Sequence, residues 1–287
     1  MIVELLVGGL VTGGLFALLS LGFTLIYKVT GVFNLAQGTI YMFCAYCIYF
    51  LLPIFDLGIS IILSIIITII TSILLYKFII YPLGDKKSHT TIITLSLAIS
   101  SQAFASLIRK NLGFFSIPYY IPGYSTILGD RVVNMNFLAV IGTLVLLVLF
   151  GLFINRTRLT KRMNAVAQNI DLARLVGINI QNTSLISIGI SAFLAGFAAV
   201  LYGPIFKPTY PLSIIFRIFP GLVLGGLGSL KGALVGSFII AFLGEIVEFT
   251  IGGGYMVSTI SFAVMFIVLI IKPSGLFGKE ISQMKKE

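Results

Sequence analysis

The chain is 287 residues long, 58% hydrophobic and only 10% charged, with a mean hydropathy of +1.12. A soluble domain carries about 25% charged residues, so this composition excludes a single water-soluble core and calls for lipid as the solvent. The net charge of +10 does not point to nucleic acid, because the basic residues lie between apolar runs, where the positive-inside rule puts them, and form no patch interleaved with aromatics.

A membrane span needs about 20 apolar residues. Taken in order, the candidates are Leu5–Tyr27, Leu35–Leu52, Leu57–Ile80, Thr91–Ile108, Phe137–Ile154, Thr183–Tyr202, Gly232–Thr250 and Tyr255–Ile271. A ninth stretch, Leu212–Ser229, is broken by Pro220 and glycines, so it either spans or enters and returns. The runs are continuous rather than alternating with period two, which argues against a β-barrel. The expected fold class is therefore all-α: a polytopic transmembrane helix bundle of eight or nine spans over residues 1–287, with one irregular Gly-rich segment. The first run is longer than a signal-peptide core and no small-residue cleavage site follows it, so it reads as a retained span.

Gly8/Thr12 and Gly9/Gly13 in the first span have the small-xxx-small spacing that lets helices approach closely. Cys44 and Cys47 share a helix face inside an apolar run and read as small packing residues. Asn34 and Gln37 open the second span; they either bond between helices or line a permeation path. The single histidine, His89, stands in a short loop. The long loop 111–136, with Pro118, Pro122 and a Tyr119-Tyr120 pair, reads as an interfacial cap with a short helix or as a connector.

Residues Arg156–Asn182 form the longest polar stretch, with Arg156, Arg158, Lys161, Arg162 and Arg174 against one acid, Asp171. A basic loop between two spans marks the cytoplasmic side. Lys86 and Lys87 mark the same side two spans earlier, which puts the N-terminus outside; the basic tail favours nine crossings, or eight with an irregular one, and a cytoplasmic C-terminus. Within the loop, Met163, Val166, Ala167, Ile170 and Ala173 fall on one stripe and predict a single helix, with Thr160 as its N-cap and Gly177 as its stop. Such a helix docks a partner or rests on its own bundle.

Chemistry is limited by what is missing. The sequence has no P-loop, no H-E-x-x-H and no second histidine for a Ser–His pair, so an enzyme is not expected. Of the acids near the spans, Glu245 and Glu248 lie near a span end, where the head can reach the interface. The Pro220–Gly236 stretch weakens a helix, and irregular backbone at membrane depth survives only inside protein or along a cavity.

Four segments resemble, in order, the permeases of branched-chain amino acid ABC importers of the LivH type. Asn34-Leu35-Ala36-Gln37-Gly38 resembles the motif opening the second span of that family. Arg162–Asn169 running on through Leu172–Asn179 is similar to the family's cytoplasmic loop. Gly225-Gly226-Leu227-Gly228-Ser229-Leu230-Lys231-Gly232-Ala233 resembles its glycine segment, and Lys272-Pro273-Ser274-Gly275-Leu276-Phe277-Gly278 its ending. Gln37, Thr39 and Lys231 depart from common family residues.

The resemblance implies a subunit of the bacterial cytoplasmic (inner) membrane that binds no cofactor itself. A second related permease would complete a heterodimer. Two cytoplasmic ABC ATPases would use ATP and magnesium, and an extracytoplasmic binding protein would deliver a branched-chain amino acid or related small polar solute. Arg162, Asn164, Ala165, Ala167, Asp171, Ala173 and Gly177 would belong to the coupling helix. Asn34, Gln37, Gly38, Gly225, Gly226, Gly228 and Ser229 would border the translocation path. The alternative is an autonomous channel or secondary carrier.

Overall fold

The computed structural model describes residues 2–83, 87–112, 117–127, 129–205, 211–252 and 254–278. Lys86 and the tail lysines Lys279, Lys285 and Lys286, which bear on the expected orientation, lie outside these residues. The helices are α1 (Ile2–Thr30), α2 (Gln37–Leu51), α3 (Leu57–Leu75), α4 (Lys87–Leu112), α5 (Asn134–Arg156), α6 (Arg158–Gln168), α7 (Ile170–Leu175), α8 (Ile180–Tyr202), α9 (Pro211–Gly225), α10 (Leu230–Thr250) and α11 (Gly254–Ile271). Among the described residues, six helical stretches are long and apolar enough to cross a membrane: Val3–Thr30, Leu57–Ile80, Lys87–Ile108, Asn134–Ile154, Ile180–Tyr202 and Leu230–Thr250. Gln37–Leu51, Pro211–Gly225 and Met256–Ile271 are apolar but shorter. The chain is thus an all-α polytopic bundle.

Helix α1 is the axis, packed mainly on α8 and α10. Its glycines make the close approach possible: a Cβ at Gly9 would strike the Phe242 ring, and one at Gly13 the Phe238 ring. Among α1, α8 and α10, small residues replace the bulk that a soluble core would use, because lipid gives apolar side chains no reason to leave it. Leu18, Leu19, Ala195, Ala199 and Ala233 are fully buried along this seam.

Helix α3 shows the same logic inverted. Its buried residues are Ser60, Ser64, Thr68 and Ser72, one per turn, while Ile59, Ile62, Ile66 and Ile70 face outward. Each of the hydroxyls of Ser64, Thr68 and Ser72 donates to the carbonyl oxygen four residues earlier at 2.7 Å. No buried hydroxyl of the three is left without an acceptor, and the flat polar stripe packs on α8. Beyond Leu75 the helix widens into a π-helical turn, Tyr76–Ile80.

The long loop holds a two-stranded hairpin rather than the expected interfacial helix. Strands β1 (Tyr124–Ile127) and β2 (Asp130–Val133) pair antiparallel. Gly129 turns between them at φ +88°, a value that disfavours any residue with a side chain. Val132 and Ile117 are buried beneath it, and β2 touches α1.

Candidate coupling loop and polar contacts of the bundle

The two basic segments read from the sequence meet at one end of the bundle. Lys87 of α4, Arg174 of α7 and the foot of α1 (Ile26, Val29, Thr30) line a common cavity. Tyr27 of α1 also touches the turn between α9 and α10, 3.9 Å from where a Gly228 Cβ would stand. The segment after α11 returns to that turn as well, where Leu276 and Phe277 donate backbone N–H bonds to the carbonyls of Leu224 and Gly225 at 2.8 and 3.0 Å.

The loop itself is two helices, not one. At Asn169 the backbone leaves the helical region (φ −155°, ψ 117°), ending α6 and starting α7. The Asn169 side-chain oxygen accepts from the N–H groups of Asp171 and Leu172 at 2.9 and 3.1 Å, so the break is itself an N-cap. Thr160 is not the N-cap; its hydroxyl donates back to the Ile154 carbonyl at 2.5 Å, and Thr157 holds the capping position. Gly177 does end α7, at φ +80°, with Ile178 N–H bonded to the Ala173 carbonyl at 3.0 Å.

The expected stripe also splits. Met163 and Val166 of α6 are buried and α6 packs on α1, while Ala173 is the buried residue of α7. Ala167, placed on that stripe by spacing, is exposed, since α6 buries only Met163 and Val166; the break at Asn169 gives α7 its own buried residue. Arg162 and Asp171 are exposed, Asn164 and Ala165 half-buried. Arg174 and Asp171 form a solvent-exposed pair at 3.6 Å, a geometry that contributes little to stability. The face that the sequence pattern did not single out is the tip of α7: Leu172, Leu175 and Val176 are 60%, 82% and 74% exposed. Three large apolar side chains beside charged neighbours on a loop tip are the mark of a contact surface.

The residues expected along a translocation path do not converge on one cavity. Asn34 shapes the turn before α2, its Oδ1 accepting from Ala36 N–H at 3.1 Å, while the helix itself has no side-chain cap. Gln37 is fully buried and clamps α2 to α8: Ser191 Oγ donates to its Oε1 at 2.9 Å, and its Nε2 faces the Ser191 carbonyl at 3.4 Å. Gly38 leaves room for the Pro211 carbonyl at the start of α9. Gly225, with Gly221 one turn before it, lies backbone to backbone on Gly232 and Gly236 of α10, a pair of G-x-x-x-G faces in one helical hairpin. Gly226 (φ +102°) and Gly228 (φ +84°) make the hairpin turn, and Ser229 caps α10 by accepting from Gly232 N–H at 3.1 Å.

Other polar groups tie the bundle internally. Thr12 donates to Glu245 at 2.8 Å, Ser237 to Ser20 at 2.9 Å, and Thr143 shares a hydrogen bond with Tyr202 at 2.6 Å. Cys44 Sγ lies 3.7 Å from the Gly196 carbonyl. Among the described residues, no three of His, Cys, Asp and Glu come together as a metal would need. Lys231 is exposed at the start of α10, at the same end as the loop.

Fold and contacts together define a multi-pass membrane protein with an exposed apolar tip on a basic loop. The family model described as branched-chain amino acid transport system / permease component matches residues 5–269, and the chain belongs to that family. It is 27% identical to the high-affinity branched-chain amino acid transport system permease protein BraD of Pseudomonas aeruginosa, over 96% of this chain and 95% of that protein. It is 24% identical to the corresponding LivH of Escherichia coli K12, over 94% of each. A probable LivH from Methanocaldococcus jannaschii is 27% identical over 98% of this chain and 94% of its own. Among solved structures, PsaBC from Streptococcus pneumoniae in complex with Fab superposes with a TM-score of 0.56 at 16% identity, covering 96% of this chain and 97% of that one. That likeness speaks for the fold alone.

Proposed function

We propose that the chain is a membrane-spanning subunit of an ATP-driven importer of the bacterial cytoplasmic membrane, carrying branched-chain amino acids. Its partners are a second, related permease, two cytoplasmic ABC ATPases that use ATP and magnesium, and an extracytoplasmic binding protein. The observation that carries this reading is the α7 tip. Leu172, Leu175 and Val176 are exposed on a loop whose other half, α6, is seated on the central helix α1 through Met163 and Val166. A push on the tip from an ATPase groove reaches the axis of the bundle through α6, and through α8, which α7 also touches.

The chain makes nine traverses in this reading. Helices α1 to α5, α8, α10 and α11 each cross, and α9 completes the seventh pass from the level of Gly38 to the cytoplasmic end. The N-terminus is then outside and the C-terminus inside. The solute path runs where α4 meets the second permease. Helix α4 has the lowest mean hydropathy of the six long spans, 1.6, and buries only 17% of its most apolar window. Ser96, Ser100 and Ser106 are exposed along it, and Thr39 at the entry of α2 shares a hydrogen bond with Ser101 at 2.9 Å. Ser96 and Ser106 bond back to the Ile92 and Ala103 carbonyls of their own helix at 3.0 and 2.7 Å and add small polar groups to this face. Gln37, Gly38 and the glycines from Gly225 to Gly228 border that path by holding α2, α9 and α10 in place, with Asn34 shaping the turn before α2 and Ser229 capping α10.

The test is reconstitution. Vesicles holding the full assembly take up leucine, isoleucine or valine only with ATP inside on the ATPase side and binding protein on the other. Vesicles holding this chain alone show negligible flux. Solute flux from the lone chain would establish an autonomous carrier instead.

A further inference from the structure

A cavity of about 670 Å³ lies behind α7. Its size falls within the roughly 300–1,000 Å³ of ligand pockets. Its walls come from the foot of α1, the π-helical turn after α3, the first turn of α4, and the α7–α8 connection. Among the described lining residues are two cations, Lys87 and Arg174, and no carboxylate. The Lys87 ammonium lies beside Gly31, 2.8 Å from where a Cβ would stand, and so offsets the carbonyl end of α1. Two long helices, α4 and α8, begin at the cavity, so Ile180 and Gln181 bring first-turn N–H groups to it as well. Asp171 reaches Arg174 only at 3.6 Å and from the exposed side. The site is therefore built for an anion.

The rest of the lining is mixed, with Thr30, Thr90, Thr94 and Ser184 on its polar part. Ile26, Val29, Ile80 and Ile188 supply an apolar floor. At one edge the lining passes through Ile80 and Tyr81 to the outer face of α3, where Phe78 and Ile79 are exposed to the membrane. Tyr81 and Tyr76 sit where interfacial tyrosines belong. One side of the cavity thus offers charge at the aqueous end, and the other opens toward acyl chains. Basic pockets between spans on the cytoplasmic side suit anionic lipid headgroups.

We propose that this cavity binds the phosphate headgroup of one anionic phospholipid, held by Lys87, Arg174 and the amide end of α8, with its chains leaving past Ile80 and Tyr81. The bound lipid fills the space between α7 and the bundle. Of the α7 side chains only Ala173 is fully buried, so the lipid stiffens the element that the tip of α7 moves. The site stands whether or not the importer assignment does, since it depends only on residues of this chain.

The experiment is native mass spectrometry of the full chain released from vesicles of phosphatidylcholine containing one fifth phosphatidylglycerol. One phosphatidylglycerol is retained per chain. The Lys87→Gln/Arg174→Gln pair lowers that retention at least tenfold, and Lys231→Gln, a cation at the same end but outside the cavity, does not. Ser184→Leu, which fills the cavity and keeps both cations, lowers it as well and guards against a general loss of charge. Equal retention by the double variant overturns the proposal, as does an equal loss in Lys231→Gln. Displacement of the lipid by millimolar glycerol phosphate also overturns it, since the cavity would then be a site for a free anion.

Discussion

Two regions of this protein use glycine for opposite reasons, one for close approach and one for a left-handed turn. In the α9–α10 hairpin, Gly221 and Gly225 lie on Gly232 and Gly236 with backbone against backbone, and the segment around Leu276 closes the end of α9 through two N–H bonds. In the α6–α7 loop, Gly177 has nothing within 4 Å of a prospective Cβ and is needed only for its φ of +80°. The first region has no space to give; the second is exposed and apolar at its tip. A segment that must transmit motion belongs to the second kind, and a segment that must frame it belongs to the first.

The largest expected effect is at the hairpin. Gly225→Leu places a side chain in the Gly232 backbone, which cannot move without parting the two helices. Overpacking typically costs about 1–3 kcal/mol and occasionally more; between two backbones the upper end applies. The expected outcome is little or no folded protein in detergent, read by size-exclusion yield and thermal melting. A well-folded Gly225→Leu variant would show that the hairpin tolerates separation.

Next comes the α7 tip, where stability and activity part company. Leu175→Glu changes a side chain that is 82% exposed, so melting stays within about 0.5 kcal/mol of the parent, as surface changes usually do. ATP-driven uptake by the full assembly falls at least tenfold, because a charge cannot enter an apolar groove unpaired. Unchanged uptake would remove the tip from the docking surface and leave Arg162, Asn164 and Asp171 as the candidates.

Gln37→Leu lies between these extremes. It removes the clamp on Ser191 and leaves that hydroxyl to find another acceptor in the interior. Loss of one partner of a buried pair costs about 1–3 kcal/mol. Ser191→Ala alone strands only the Gln37 Oε1, since Nε2 faces a backbone carbonyl that remains, and the double variant Gln37→Leu/Ser191→Ala recovers part of the loss. Thermal melting of the three variants checks this; simple additivity would mean that the two side chains do not act as a pair.

The pattern of legibility follows the same division. The apolar runs mark the helices well, because lipid demands a continuous hydrophobic surface. Helix α3 could also have been read further: Ser60, Ser64, Thr68 and Ser72 recur every four residues in an otherwise isoleucine-rich run, a small-xxx-small face that spacing alone displays. The hairpin was equally visible in Tyr124–Val133, where β-branched and aromatic residues flank Leu128-Gly129. The two halves of the α6–α7 loop were harder. Met163, Val166, Ile170 and Ala173 keep helical spacing across the break, and only Asn169 followed by Asp171 hints at a cap inside the run. The glycine segment shows in sequence that backbone comes close to something; that the neighbours are Gly232, Gly236 and the chain around Gly275 depends on tertiary packing.

The smallest effect is the sharpest test of the contrast. Gly177→Ala adds one methyl group in open space, so any cost is conformational: a left-handed backbone disfavours an L-residue by about 1–2 kcal/mol. Global melting hardly registers it, because α7 makes few contacts with the rest of the bundle and can fray locally. Hydrogen exchange does register it, as faster exchange of Val176, Gly177 and Ile178, whose N–H groups close the end of α7 on Leu172, Arg174 and Ala173. If the tip must be presented as an ordered turn, Gly177→Ala also lowers uptake by a few-fold, and Gly177→Asn, which tolerates positive φ, restores most of it. Equal exchange and equal uptake in both variants would mean that the turn is set by the bundle on either side and that the glycine is dispensable.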